Sequence, residues 1–469
     1  MEIKNREFYL KHVDYLPVED IIEGIRNNIF TMAELRATGD FDASKQKSVK
    51  KILAEFEAED NAFNSAITMP LLEDFKYKYP NSEHIDEVNK KINRLKEQHE
   101  FEKQKKFNDT IKNINKKTPD LVKSELGEDF LREICRQIGV DYDIVEKYDE
   151  PDLVFNNLIP ENADDIPHDF TDVFFWGIPS SGKTCALSAI LNTINRNYTM
   201  EAPKIKKKYG GPYRDSLVEI FKNDTGYLPS GTAVDKTQYM PFRLKKRGRG
   251  EVYRNISFFE LSGEIFKFFY DIINNEVSTD LIVNQDNNDE EVLTEEQQKE
   301  IEKRIAFKTL KLLLNSNNQK IHFFFIDYEQ ETKKKQEQEK YLRAAAVYFR
   351  DYDDIFKKKT DAVYIVVTKA DEIKDEYGNE IDDKKRSEIA GQFLNNNFGS
   401  FMDSMEERCK SDSVNFRKRI FSIGDVYFSK ICKINRKYSR DIIDDLLTLV
   451  RPSLSEYKWY SKLFKLFNS

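Results

Sequence analysis

The chain has 469 residues, too many for one compact core, and its 39% hydrophobic content supports folded domains rather than a disordered polymer. Its 83 acidic and 75 basic residues leave a net charge of -8, which gives no general attraction to nucleic acid or anionic lipid. No apolar run approaches the roughly eighteen residues that span a bilayer, and MEIKNREFYL has no signal-peptide core, so a cytoplasmic protein is the expectation. Cys135, Cys185, Cys409 and Cys432 are scattered without a C-x-x-C pair, which argues against a disulfide framework and a zinc site.

Residues 1–50 predict a small helical module in which Ile21, Ile22, Ile25 and Ile29 form one apolar stripe. A short helix is predicted from Thr31, with Glu34 three residues on in the capping-box arrangement, to Gly39, where a left-handed cap carries little steric cost. Residues 51–116 predict two helices around a Pro80-Asn81 turn and then a charged linker helix. Phe63, Ala66, Leu72, Phe75 and Tyr79 would face Ile85, Val88, Ile92 and Leu95. The pair resembles a tetratricopeptide-type hairpin, and because only one such unit is visible a lone hairpin or small bundle is expected rather than a superhelix. Residues 117–168 predict a further small helical segment and a Pro- and Asp-rich connector.

The pattern changes at residue 169. TDVFFWGIPSSGKT, Thr171 to Thr184, is an apolar strand running into G-x-x-x-x-G-K-T, the order that a phosphate-cradling loop requires. Gly177 and Gly182 permit a tight turn and a close backbone approach to phosphate oxygens, so the loop from Ser180 and Ser181 through Cys185 can aim N–H groups inward. Lys183 is the candidate for the β and γ phosphates and Thr184 for Mg²⁺, with the dipole of the following helix directed at the same anion.

Downstream, YMPFRLKK and EVYRNISFFELSG predict two antiparallel strands joined by a hairpin. Arg247 and Arg249 at its tip read as a solvated basic turn, with partner contact or an arginine finger in trans as the alternative. A helical insertion follows around 275–318, where the acidic NQDNNDEEV predicts a mobile loop. The strand IHFFFID, the helix KYLRAAAVYFRDYDDIF and the strand DAVYIVVTKAD come next. RKRIFSIGDV gives one more strand, and RDIIDDLLTLVRPSL a closing helix.

The motifs in this order resemble those of P-loop GTPases of the Ras-like and translation-factor-like class over roughly Asp169 to Pro452. Nearer likenesses are bacterial GTPase-domain proteins with variable N-terminal helical modules, including those proposed to act in conflict or defence systems. The resemblance implies an α/β fold, a mostly parallel sheet flanked by helices, preceded here by an all-α N-terminal region. It implies binding of GTP or GDP with Mg²⁺. Thr368-Lys369-Ala370-Asp371 matches the N/T-K-x-D element that reads guanine. Asp371 can accept from the ring N–H and the exocyclic amine, a donor pair that adenine does not offer. Ser422 and Ile423 stand where such proteins carry a short base-contacting loop. Glu260-Leu261-Ser262-Gly263 looks like D-x-x-G with Glu for Asp, making Glu260 the preferred carboxylate on the Mg²⁺ side, with Asp327 as the alternative.

Glu264 stands where Ras-like enzymes carry a water-positioning Gln, and a carboxylate beside a γ-phosphate is repelled unless protonated or paired. Slow hydrolysis is therefore expected. Thr225, Thr232 and Thr237 compete for the role of switch threonine, and we take Thr232. The leading expectation is a GTP-dependent switch that signals to a protein partner through its helical modules. A non-hydrolysing nucleotide-binding scaffold and a Walker-type ATPase are the alternatives. No nucleic-acid partner is expected, and a homodimer through the nucleotide face is left open.

Overall fold

The computed structural model describes residues 6–149, 151–156, 158–203, 205, 207, 209–229, 237–248, 252–273, 294–328, 331–351, 356, 359–375 and 377–452. The chain divides into two compact units, Met1–Thr110 and Ile111–Ser469. No described helix is long and apolar enough to cross a membrane.

The first unit contains helices α1 (Arg6–Lys11), α2 (Val18–Arg26), α3 (Met32–Ala37), α4 (Ala43–Ser65), α5 (Met69–Lys78) and α6 (Ile85–Lys112), the last running past the boundary. The expected capping box is present at α3: Thr31 accepts from the Glu34 N–H and the Glu34 carboxylate accepts from the Thr31 N–H. Ile21, Ile22, Leu35 and Val49 form one core, and Phe63, Leu72, Phe75, Val88 and Ile92 another. The second core joins the residues expected to face one another, but they lie on three helices instead of two. The extra break falls at residues 66–68, before Pro70 in the first turn of α5, where its missing N–H leaves no helical bond unmade.

The second unit opens with α7 (Pro119–Leu126), α8 (Glu128–Ile138) and α9 (Tyr142–Lys147). Its main body is α/β. In chain order it contains β1 (Thr171–Trp176), α10 (Lys183–Asn197), β2 (Tyr198–Glu201), α11 (Gly211–Ile220), β3 (Thr225–Tyr227), β4 (Gln238–Lys246), β5 (Arg254–Glu260) and α12 (Gly263–Ile273). Then come α13 (Glu295–Asn315), β6 (Gln319–Asp327), α14 (Thr332–Asp351), β7 (Thr360–Thr368), α15 (Asp383–Ser411), β8 (Asn415–Ile420), β9 (Gly424–Tyr427), β10 (Ile431–Ile434) and α16 (Arg436–Leu449).

Seven strands form one sheet in the order β2-β4-β5-β1-β6-β7-β8. The pairs β5–β1, β1–β6, β6–β7 and β7–β8 are parallel, while the hairpin β4–β5 and the edge pair β2–β4 are antiparallel. Alternation along β1 sends Phe174 and Trp176 to one face, against residues of α12, α13, α14 and α15. It sends Val173 and Phe175 to the other, against α10, α11 and α16. Burial on both faces explains why the central strands read as unbroken apolar runs. β3, β10 and β9 form a separate three-stranded sheet. That sheet, together with β2, α11 and α15, had no counterpart in the sequence reading.

Candidate functional site

The sheet topology selects one place for a ligand. After β1 the chain builds β5 on one side of it, and then crosses to build β6 on the other, so the carboxyl end of β1 is a switch point of the kind where open α/β sheets bind ligands. Residues 177–184 make the turn from β1 into α10 at that end. A cleft of about 1070 Å³ opens there, lined by Pro179 through Cys185, Gly263, Thr368, Lys369, Asp371 and Ile423, together with Leu228, Asp425, Tyr427, Lys430 and Ile111.

The turn has the conformation that its glycines allow. Gly177 and Gly182 lie at φ 150° and 81°, and Ser180 between them at φ 63°. A side chain at Gly177 would meet Ser181 Oγ at 2.6 Å and the Phe325 carbonyl oxygen at 2.7 Å. Gly182, in a left-handed conformation, is the N-cap of α10, and having no side chain it places no capping group over the first turn of the helix. Lys183 is buried and folds back over the turn, its Nζ donating to the carbonyls of Gly177 and Ile178 at 2.8 Å each. Burial lowers its pKa to about 8, against the opposing pull of the Glu260 and Glu264 carboxylates.

Glu260, at the end of β5, is wholly buried. It accepts from Thr184 Oγ1 on one carboxylate oxygen and from the Tyr213 hydroxyl on the other. A hydroxyl and a carboxylate in contact beside a lysine-topped anion turn are the hard oxygen donors that suit Mg²⁺, so the residues present fit a Mg²⁺–phosphate group. Asp327, the alternative carboxylate, is instead engaged by Lys369 Nζ at 2.7 Å.

The two other expected segments join the same cleft. Thr368 Oγ1, at the end of β7, donates to the Ser181 carbonyl at 2.9 Å, tying T-K-A-D to the glycine turn. Lys369 takes a left-handed backbone at φ 54°. Ser422 Oγ donates to Asp371 Oδ1 at 2.7 Å, so the 422–424 turn holds the carboxylate expected to read guanine. Gly177, Glu260 and Ser422 do not line the cleft themselves; each is hydrogen-bonded to a residue that does.

Glu264 lies at the start of α12, with its carboxylate 3.9 Å from Lys267 Nζ, and is absent from the lining of the cleft. Cys185 lines the cleft, with burial pushing its thiol up to about 12. Thr225 is in β3, Thr237 is buried just before β4, and Thr232 lies outside the described residues, as does Arg249. Arg247 donates to the Asn195 and Tyr198 carbonyls, at the back of α10.

Sequence reasoning missed Tyr213 and one wall of the cleft. The signal for Tyr213 was available: Pro212 opens a helix, and Tyr213, Leu217 and Phe221 repeat at four-residue spacing within a segment read as polar. The wall from β9, the turn after it and residues 111–115 had no signal, because β9 and its partner β10 are only four residues long each. No protein-family model matches this chain, and no curated protein is significantly similar to it.

Proposed function

We propose that the unit Ile111–Ser469 binds guanine nucleotide with Mg²⁺ as a P-loop GTPase-type switch of slow turnover, resembling the Ras-like and translation-factor-like class. One observation carries the reading: four segments far apart in sequence, containing Lys183, Glu260 with Gly263, Asp371, and Ser422, are joined by hydrogen bonds and close contacts around one cleft at the switch point of the sheet. An accidental G-x-x-x-x-G-K-T or T-K-A-D has no reason to be joined to the other segments.

In this reading the N-terminus of α10 and the turn before it hold the phosphates, and Lys183 exchanges the Gly177 and Ile178 carbonyls for phosphate oxygens. Thr184 and Glu260 face the metal, directly or through its water. Mg²⁺, when bound, supplies charge neutralisation for the β and γ phosphates. Asp371, steadied by Ser422, accepts from guanine. The position of Glu264 on Lys267 supports slow hydrolysis, since no water-orienting side chain lines the cleft at that point among the described residues.

The test is a binding titration of the purified full chain with GTP, GDP and ATP, each with and without Mg²⁺, repeated on Lys183→Ala and Asp371→Asn. Guanine-selective binding that Lys183→Ala abolishes, with selectivity that Asp371→Asn erases, is the expected result. Equal or preferred ATP binding would instead favour the Walker-type ATPase, and GTP affinity unchanged in Asp371→Asn would remove the assignment of the base site.

A further inference from the structure

Resting on the Mg²⁺–nucleotide reading above, we infer that Tyr213 is a positioning residue for metal binding: its hydroxyl fixes the rotation of the Glu260 carboxylate and so lets a glutamate do what a shorter aspartate would do at this place. A glutamate has one more rotatable bond than an aspartate, and its carboxylate can turn away from the metal side unless both oxygens are held. Here each oxygen has its own hydroxyl. Thr184, at the head of α10, donates to Oε1, and Tyr213, on α11, donates to Oε2 at 2.7 Å.

The neighbouring polar side chain does not share this work. Gln238 stands opposite Glu260 in the β4–β5 ladder, hence on the same face of the sheet, and is wholly buried. Its amide oxygen and nitrogen have no hydrogen-bond partner among the described residues. Gln238 therefore gives Glu260 no hydrogen bond, whereas α10 and α11 each give it one.

Tyr213 is itself immobilised. Its ring is entirely buried among Leu217, Met240 and Phe242 and stacks on Phe155, with ring centres 4.9 Å apart. The start of α11 is pinned by the Gly210 N–H donating to Asn156 Oδ1 at 3.1 Å. A rigid phenol gives the carboxylate one preferred rotation. With Oε2 engaged by Tyr213, Oε1 stays on the Thr184 proton, and the Thr184 hydroxyl is fixed in rotation in its turn.

The experiment measures GTP affinity of the full chain with Mg²⁺ and in EDTA, and takes their ratio, for wild type, Tyr213→Phe, Glu260→Gln and the double variant. Tyr213→Phe should cut the ratio by about tenfold while affinity in EDTA stays near wild type, as loss of a group that orients a metal ligand does. In the Glu260→Gln background the same change should leave the ratio as it is, because Tyr213 acts through Glu260. A merely structural role would lower the thermal midpoint without moving the ratio, and would overturn the inference. So would equal effects in both backgrounds. If Tyr213→Phe does not fold, 3-fluorotyrosine placed at 213 supplies the readout. Its ¹⁹F signal should move with GTP and Mg²⁺ together and not with GTP in EDTA, and an unmoved signal counts against the role. Wild type that binds no GTP under either condition would remove the parent reading. A wild-type ratio that survives Tyr213→Phe would remove only the role of Tyr213.

Discussion

His322 is buried in the middle of β6, packed against Phe174, Trp176 and Phe349. Trp176 Nε1 donates to its Nδ1 at 3.1 Å, so the proton of the neutral ring is on Nε2. Burial pushes its pKa down to about 3, with the nearby Lys320 ammonium adding to the effect. The folded pKa is below the unfolded value of 6.5, so between these values the unfolded chain holds a proton that the folded chain does not. Stability contributed by the neutral ring is therefore complete above pH 6.5 and is lost as pH falls toward 3, at up to about 1.4 kcal/mol per pH unit. Asp172 and Asp361, whose carboxyls burial raises, act with the opposite sign. The His322 contribution is isolated by comparing urea unfolding of wild type and His322→Phe at pH 7, 6 and 5. The variant should lose less stability on acidification, and parallel pH profiles would show that another group carries the dependence.

At the scale of elements, the turn from β5 into α12 touches the turn from β1 into α10. A side chain built at Gly263 would be 2.1 Å from the Pro179 nitrogen and 2.4 Å from its Cδ, and backbone on a sheet-anchored turn cannot yield that distance. Gly263→Ala should therefore push the two turns apart and weaken GTP binding by about tenfold or more, the loss that about 1.4 kcal/mol of strain or lost contact produces. Thr31→Ala, which breaks the capping box of α3 in the other unit, is the control. It should cost about 1 kcal/mol of stability and leave GTP affinity unchanged. Equal affinity in Gly263→Ala and wild type would mean that this contact does not shape the site. The glycine that makes the contact was legible in E-L-S-G, as were the strands around it, because central strands buried on both faces leave long apolar runs and G-x-x-x-x-G-K-T marks its own turn. The contact was not. The element α15 escaped because 383–411 is a polar stretch broken by Asn395-Asn396-Asn397 and by Gly391 and Gly399, which hide the stripe of Ala390, Leu394, Phe398, Met402 and their neighbours. The Tyr213–Glu260 bond escaped because two hydroxyls and a carboxylate from three elements leave no pattern in one dimension.

The whole molecule separates these tasks between its units. Among the described residues, every one that lines the cleft comes from Ile111 onward, and the cores on both faces of the sheet belong to the same unit. Met1–Thr110 contains two apolar cores of its own, the first joining Ile21 and Ile22 of the expected stripe to Tyr9, Val13, Phe30, Leu35 and Val49. A unit with its own core has the means to fold alone, and a binding site confined to one unit needs nothing from the other for contact. Removing residues 1–110 should therefore leave guanine-nucleotide affinity within about threefold of the full chain, a difference below about 1 kcal/mol. The measurement is the same titration with GTP and Mg²⁺, preceded by a thermal scan that shows cooperative unfolding of the shortened chain. A folded 111–469 chain that binds GTP about tenfold more weakly would assign nucleotide contact or ordering of the cleft to the helical modules. Near-equal affinity would show that nucleotide binding is a property of the second unit by itself. That unit begins with residues 111–115, where Ile111 and Asn115 line the cleft and the Ile114 carbonyl accepts from the Phe428 N–H.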